Sequence, residues 1–313
     1  MKKILITGAA GMIGFELSKK LSKKNNVILF DLHEKIDEIN QSQLNKNMQL
    51  FRGSILETSS MLNAMTDVDC VFHLGAMLGV KNTESDKLKC IEVNIKGTEN
   101  VLDCMVRSKI KKIVFASSSE VYGEPNSNPI NEKHMTQGKT VYGITKLAGE
   151  ELCKAYKQKF NIKYSILRYF NSYGPNQNYN FVISKFIDYV MNNKRPNIYG
   201  SGKQTRAYTY VTDTASGTAK CLDHPRSHNK VFNIGNGKNP INLIDLANLV
   251  IKLNNKQDKL KPLIKTFSGA DRTKDREIYF RYCDSSYAQS QLQWTPKINL
   301  KQGIKKIIDE RKK

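Results

Sequence analysis

The 313-residue chain has no stretch near the roughly 18 to 20 consecutive apolar residues that a membrane-spanning helix requires. Met1 to Lys3 run straight into Ile4-Leu5-Ile6 and then a glycine turn, too short an apolar run for a secretory leader. These features give the expectation of a soluble, cytoplasmic protein without a membrane partner. The six cysteines (Cys70, Cys90, Cys104, Cys153, Cys221, Cys283) form no C-x-x-C pair and have no histidine at ligand spacing. They read as buried apolar side chains, and no metal or disulfide framework is expected. Repeats and low-complexity segments are missing. Acidic residues are scarce, 29 against 50 Lys and Arg, for a net charge of +21. Such a balance attracts polyanions. However, the lysines are spread along the chain in runs no longer than Lys19-Lys20 and Lys23-Lys24, and no aromatics alternate with them. A solvated Lys-rich surface is the expectation, not a nucleic-acid interface, and an anionic substrate would benefit from the field.

What is present is a core-forming chain, 39% hydrophobic, long enough for one large α/β domain or one and a half. Its first half alternates short apolar runs with helical patterns, which is the pattern of βαβ units on a parallel sheet. Strands are predicted at Ile4–Thr7, Val27–Asp31, Met48–Arg52, Asp69–Leu74, Lys112–Ser117 and Tyr164–Arg168. Helices are predicted at about Met12–Lys24, Asp86–Ser108 and Tyr142–Phe160. Beyond Pro175 the pattern loosens, with helices at about Leu243–Leu253 and Leu300–Arg311 on either side of a basic stretch, Asp271–Arg281. Residues 1–172 are therefore expected to form a Rossmann-type, doubly wound domain to which some later segments return. Residues 173–313 are expected to supply mainly a smaller substrate-binding region.

Between the first strand and helix stand Gly8, Gly11 and Gly14. Glycines at this spacing allow a tight turn and let the backbone approach a pyrophosphate at the helix N-terminus. Asp31 ends the second strand, where a carboxylate accepts the adenosine ribose hydroxyls and repels a 2′-phosphate, so NAD is favoured over NADP. Ser118 and Glu120 follow the Lys112–Ser117 strand, at the carboxyl edge where open parallel sheets bind ligands. Tyr142 and Lys146, four residues apart at a helix start, share one helical face. A phenol near its ordinary pKa of about 10 is a poor base at neutral pH. The Lys146 ammonium and a positive nicotinamide ring are expected to lower it, so that Tyr142 takes a proton from a sugar hydroxyl while Ser118 steadies the oxygen.

The segments Thr-Gly-x-x-Gly-x-x-Gly, His73-Leu-Gly-Ala76, Asn94-Ile-Lys-Gly-Thr98, Ser-Ser-Ser-Glu-Val-Tyr-Gly, Tyr-x-x-x-Lys, Arg168-Tyr-Phe-Asn-Ser-Tyr-Gly-Pro175 and Gln204-Thr-Arg-Ala-Tyr-Thr-Tyr-Val-Thr-Asp213 occur in order. Together they resemble the extended short-chain dehydrogenase/reductases, the NAD-dependent nucleotide-sugar epimerase/dehydratase family. The resemblance implies cofactor contacts from Gly8, Gly11, Met12, Ile13, Gly14, Asp31, Ser54, Ile55, Leu74, Gly75, Ala76, Asn94, Tyr142 and Lys146. It implies substrate contacts from Ser118, Ser119, Asn171, Phe181, Val182 and Arg206, and from a phosphate-gripping basic residue of 271–276, Arg272 in first place. It also implies a homodimer through the long helices at 86–108 and 142–160. Glu120 resembles the glutamate of dehydratases and uronate decarboxylases, whereas the helix from Tyr142 and the segment from Arg168 resemble 4-epimerases. Ser54 stands where the family usually has an aspartate, and Arg276-Glu277 where it has Gly-Asp. The expected activity is a nucleotide-sugar 4-epimerase, with a 4,6-dehydratase or uronate decarboxylase using Glu120 as the alternative. From another class, a non-catalytic NAD- or RNA-binding relative would be marked by salt-dependent RNA binding that survives Tyr142→Phe.

Overall fold

A computed structural model describes residues 1–268 and 277–312. Six strands, β1 (Lys3–Thr7), β2 (Asn26–Asp31), β3 (Met48–Arg52), β4 (Cys70–His73), β5 (Lys112–Ser118) and β6 (Lys163–Tyr169), build an all-parallel sheet in the order β6-β5-β4-β1-β2-β3. Lys230–Ile234 adds a seventh strand beside β6, also parallel. The expected α/β, doubly wound architecture is the one observed. A parallel sheet is covered on both faces, so its inner strands β1, β2 and β4 are buried, nearly apolar runs. Alternation then sends Ile4 and Ile6 into one core cluster, with Phe72, Leu167 and Phe232. Leu5 goes to the other, with Val71, Phe115 and Ile166.

A third cluster joins the Val182–Met191, Leu243–Leu253 and Leu300–Arg311 helices through Ile187, Val190, Leu246, Val250, Ile304 and Ile308. Met12 and Ile13 pack against it, tying the glycine turn to the C-terminal part of the chain.

Two helices differ from expectation. The first spans Met12–Leu21 and stops before Lys24, because the Asn25 side chain donates to the Leu21 carbonyl and closes the last turn. The second is not continuous over 86–108. It comprises Lys87–Ile91, a π turn at Glu92–Lys96 and Gly97–Arg107. The π turn centres on Asn94, whose amide is drawn sideways onto the backbone of Met77 at both nitrogen and carbonyl. Such turns concentrate at functional sites. Among the described residues, no helix is long and apolar enough to cross a membrane, and no group of His, Cys, Asp and Glu could hold a metal. All six cysteines are buried thiols.

Candidate active site

The glycine turn is built for close approach. Gly8 has φ of 68°, and a Cβ there would lie 2.7 Å from the Gly75 nitrogen; one on Gly14 would lie 2.2 Å from the Gly8 carbonyl. Gly11 caps the Met12–Leu21 helix without a side-chain hydrogen bond, and the first turn carries no acidic residue. Its amides and the positive end of the helix dipole therefore face outward unneutralised, as an anion requires. Asp31 accepts from the backbone N–H of Ala10 (3.0 Å) and Leu32 (2.9 Å). Burial raises its pKa, and those two hydrogen bonds oppose the rise. Each oxygen keeps a lone pair for a hydroxyl donor. Ser54 receives the Leu56 amide at 3.2 Å, and Ile55 packs where a Cβ on Gly97 would stand. These features fit a dinucleotide along the carboxyl edge of β1 and β2.

Behind the turn runs a buried relay. The Gly75 amide donates to Thr7 Oγ1 (3.1 Å), which sits 2.7 Å from His73 Nδ1; His73 Nε2 is 3.1 Å from Thr98 Oγ1, which donates to the Asn94 carbonyl at 2.6 Å. Because the Thr98 proton is committed to Asn94, His73 donates from Nε2; burial keeps the ring neutral, which leaves Nδ1 as the acceptor toward Thr7. Burial, with the Lys146 ammonium adding to it, pushes its pKa down to about 3. His73 thus binds its proton in the unfolded chain near pH 6.5 but not in the fold. The linked stability is complete above that value and falls as pH drops toward about 3, by about 1.4 kcal/mol per unit per proton. We expect the unfolding free energy to decline more steeply between pH 6.5 and 5 than in His73→Gln, measured by denaturant titration at each pH. Equal slopes would remove His73 from the acid response.

The chemistry-bearing residues meet beyond β5. Ser118 caps the 3-10 turn Ser119–Tyr122, accepting from the Glu120 amide, and hydrogen-bonds the Tyr142 phenol. Thr140 caps the Val141–Phe160 helix through the Gly143 amide (3.1 Å) and donates to Glu120 Oε2 at 3.3 Å. Glu120 Oε1 receives Arg281 Nη1 at 2.6 Å in a largely buried ion pair. Arg281 and Thr140 are the site residues that sequence reasoning missed. Arg281 stands on a two-residue strand, Phe280–Arg281, 161 residues from its partner, and local spacing carries no signal for such a pair. Thr140, three residues before Gly143, has the ordinary spacing of a helix cap and was legible as one.

The chain alone holds the Tyr142 phenol above its ordinary pKa, and Lys146 meets it through space instead of by a hydrogen bond. Its ammonium donates to the Ala116 carbonyl at 2.8 Å and lies 5.8 Å from the Tyr142 ring centroid. Burial raises the phenol's pKa, the Glu120 carboxylate adds to the rise, and Ser118 and Arg281 oppose it. Lys146 itself is pushed down by burial to about 8.

The other expected residues are distributed as follows. The Leu74 amide bonds the Thr7 carbonyl, which leads the segment through Gly75 and Ala76 past the glycine turn. Asn94 donates to Thr145 Oγ1 at 3.1 Å, so it links that segment to the helix of Tyr142 and Lys146. Ser119 is buried. Asn171, at φ of 41°, donates to the Ala207 carbonyl. Phe181 caps the Val182–Met191 helix, and Val182 leans on the third core cluster. Arg206 donates to Glu277 (3.1 Å) and to the carbonyls of Thr205, Ile278 and Tyr279. Arg272, with Lys274 and Arg276, lies outside the described residues.

A parallel doubly wound sheet, a glycine turn under an uncapped helix and a Ser–Tyr–Lys group at the sheet's carboxyl edge define a dinucleotide-dependent enzyme class. Residues 5–307 match the family described as GDP-mannose 4,6 dehydratase. The chain belongs to the extended short-chain dehydrogenase/reductases, in their NAD-dependent epimerase/dehydratase family. It is 36% identical to a putative UDP-glucose 4-epimerase of Methanocaldococcus jannaschii, over 98% of this chain and 97% of that one. It is 33% identical to a UDP-N-acetyl-alpha-D-glucosaminuronate decarboxylase of Bacillus cytotoxicus, over 98% and 97%. Among solved structures it resembles UDP-glucuronic acid 4-epimerase from Bacillus cereus, crystallised with UDP-glucuronic acid and NAD (TM-score 0.87, 30% identity, 99% of both chains). Relatives of this kind are enzymes, and so is this protein.

Proposed function

We propose that the protein is an NAD-dependent nucleotide-sugar 4-epimerase. Bound NAD supplies a hydride acceptor and donor, held by Gly8, Gly11 and Gly14 at the pyrophosphate and by Asp31 at the adenosine ribose. Tyr142 removes the proton of the sugar's C4 hydroxyl, Ser118 bonds the same oxygen, and Lys146 keeps a positive charge near the ring. Asn171, Phe181, Val182 and Arg206 line the nucleotide end, and exposed Leu88, Ile91 and Ile144 on the long helices suit a homodimer face.

The observation that carries this reading is the commitment of Glu120. A 4,6-dehydratase needs a base at C5. Both Glu120 oxygens are engaged, one by Arg281 and the other by Thr140, and epimerisation at C4 asks for no such base. Uronate decarboxylation is the second reading, favoured by the buried Arg281 beside the reacting centre and by the relative that bears that activity in its name. It too needs no base at C5, because a C4 ketone lets the C5–carboxyl bond release CO2 and leave its electron pair to be protonated.

The test is incubation with UDP-glucose and UDP-glucuronate in deuterated water, read by NMR. A C4 epimer without solvent label is expected. A 4-keto-6-deoxy product, labelled at C5, would overturn the proposal. For the cofactor, Asp31→Ser is expected to weaken NAD and admit NADP, narrowing their affinity ratio at least about tenfold by loss of the carboxylate's repulsion and hydrogen bonds. Calorimetric titration with both dinucleotides measures it, and an unchanged ratio excludes Asp31 from selection.

A further inference from the structure

We infer that Arg311, the last residue of the C-terminal helix, is a positioning residue for the nucleotide. It clamps the loop 174–181 through Ser184 and Tyr179 and so sets how tightly a nucleoside diphosphate is held; this rests on the reading that Phe181 and Val182 line the nucleotide end. The loop follows β6, which ends at Tyr169, and open parallel sheets take their ligands beyond the carboxyl ends of strands. Its first residue, Gly174, lies against the helix Met12–Leu21, because a Cβ there would stand 3.6 Å from Met12 Sδ. Residues 174–181 form neither helix nor strand.

Ser184 is 2% exposed, and its hydroxyl both gives and receives. It donates to the Gln177 carbonyl at 3.2 Å and accepts Arg311 Nη2 at 2.6 Å. A charged donor polarises the hydroxyl and strengthens the bond it gives in turn. Arg311 Nη1 reaches the Ser184 carbonyl at 3.4 Å, and the guanidinium lies 5.1 Å from the centroid of the Tyr179 ring. That ring is 64% exposed, so packing from the core does little to fix it. One guanidinium thus fastens Tyr179 directly and Gln177 through Ser184. The stretch that carries Phe181 and Val182 lies between its two direct contacts.

The other end of the clamp is fixed. The Leu300–Arg311 helix begins with a capping box of Asn299 and Gln302 and is buried through Ile304, Ile307 and Ile308. Ile183 and Phe186, just beyond the loop, belong to the same core cluster. Arg311 therefore joins an anchored helix to a segment without regular structure. Such a segment loses chain freedom when a ligand orders it, and a contact that orders it beforehand removes that loss from binding. The effect falls on affinity, since the chemical step belongs to Tyr142 on another helix.

The experiment uses the full chain with NAD bound, titrated calorimetrically with UDP, together with steady-state turnover of UDP-glucose. Arg311→Met keeps the apolar stem and removes the donors. It is expected to weaken UDP at least about fivefold and to raise KM by a similar factor, with kcat held within about twofold. Arg311→Lys should recover part of the UDP affinity as a point-charge donor to Ser184. Ser184→Ala should weaken UDP as well, and its combination with Arg311→Met should be little worse than either alone, because both break one chain of bonds. Unchanged UDP affinity in Arg311→Met with a lowered denaturation midpoint would make the contact merely structural and overturn the inference, as would fully additive losses in the double variant. Phe181→Ala separates the clamp from the reading beneath it. UDP weakened by Phe181→Ala but not by Arg311→Met defeats only the clamp, whereas UDP binding indifferent to Phe181→Ala, or absent from the intact protein, removes the nucleotide end from this loop and the clamp with it. Binding of UDP needs no turnover, so the outcome is independent of the chemistry at C4.

Discussion

Tyr142→Phe is expected to lower turnover at least about a hundredfold while leaving the fold and the NAD content intact. The substitution removes one oxygen and keeps the ring. The phenol's hydroxyl faces Ser118 at the reacting edge, and the helix that carries it is capped independently by Thr140. The expected size of the effect follows from the electrostatics. Burial and the Glu120 carboxylate both hold the phenol protonated, and Lys146 spends a hydrogen bond on Ala116 instead of on the phenol oxygen. The chain alone therefore provides a reluctant base, and the positive nicotinamide of bound NAD is the charge that remains to make it a willing one. A linked expectation is that activity rises with pH on its acid limb, since the reactive form is the deprotonated one. Product formation read by NMR and dinucleotide content read by absorbance after denaturation measure the two halves. Near-normal turnover in the variant would exclude Tyr142 as the base.

The part of this site that could be read in the sequence is the part written in short spacings. Gly8 and Gly14 report close approaches that a Cβ cannot enter, at 2.7 Å from the Gly75 nitrogen and 2.2 Å from the Gly8 carbonyl. The inner strands are legible for a similar reason: β1, β2 and β4 are buried on both faces and run nearly apolar. Tyr142 and Lys146 lie on the same helix, so their proximity follows from its pitch. The direction in which Lys146 points does not. That depends on the Ala116 carbonyl at the end of a different element, and the burial that raises the phenol's pKa is likewise a product of folding. The π turn at Glu92–Lys96 was hidden likewise, because the Asn94 contact with Met77 that imposes it is a tertiary one. Arg281 is the extreme case, since its partner and its burial are both products of folding.

Glu150→Ala is expected to cost about 3 to 5 kcal/mol of stability, the range for stripping one partner from a buried ion pair. Glu150 is 1% and Arg168 5% exposed. The carboxylate takes Arg168 Nε at 2.9 Å and Nη2 at 2.7 Å, with Ser117 Oγ at 2.5 Å on the first of its oxygens. Burial works against the Arg168 charge, and Glu150 outweighs it, holding the guanidinium's pKa above its ordinary value. Arg168 Nη1 continues to the Tyr122 hydroxyl at 2.9 Å, which donates to Asn233 Oδ1 at 2.7 Å. The network thus crosses from the catalytic helix through β6 to the seventh strand. It also holds Tyr122, the last residue of the turn that carries Glu120. Alanine would leave an unpaired guanidinium in the core, whereas Glu150→Gln keeps an acceptor for Arg168 and a partner for Ser117, so it should cost clearly less. Replacing both partners by Glu150→Leu with Arg168→Met should be milder than Glu150→Ala alone, because the desolvated charge is then gone. Chemical denaturation of these variants, and of Glu150→Leu and Arg168→Met singly, distinguishes a charge penalty from simple loss of packing. If the double variant proved as unstable as the sum of its single losses, the pair would be two independent side chains and the route from the catalytic helix to the Glu120 turn would have to run elsewhere.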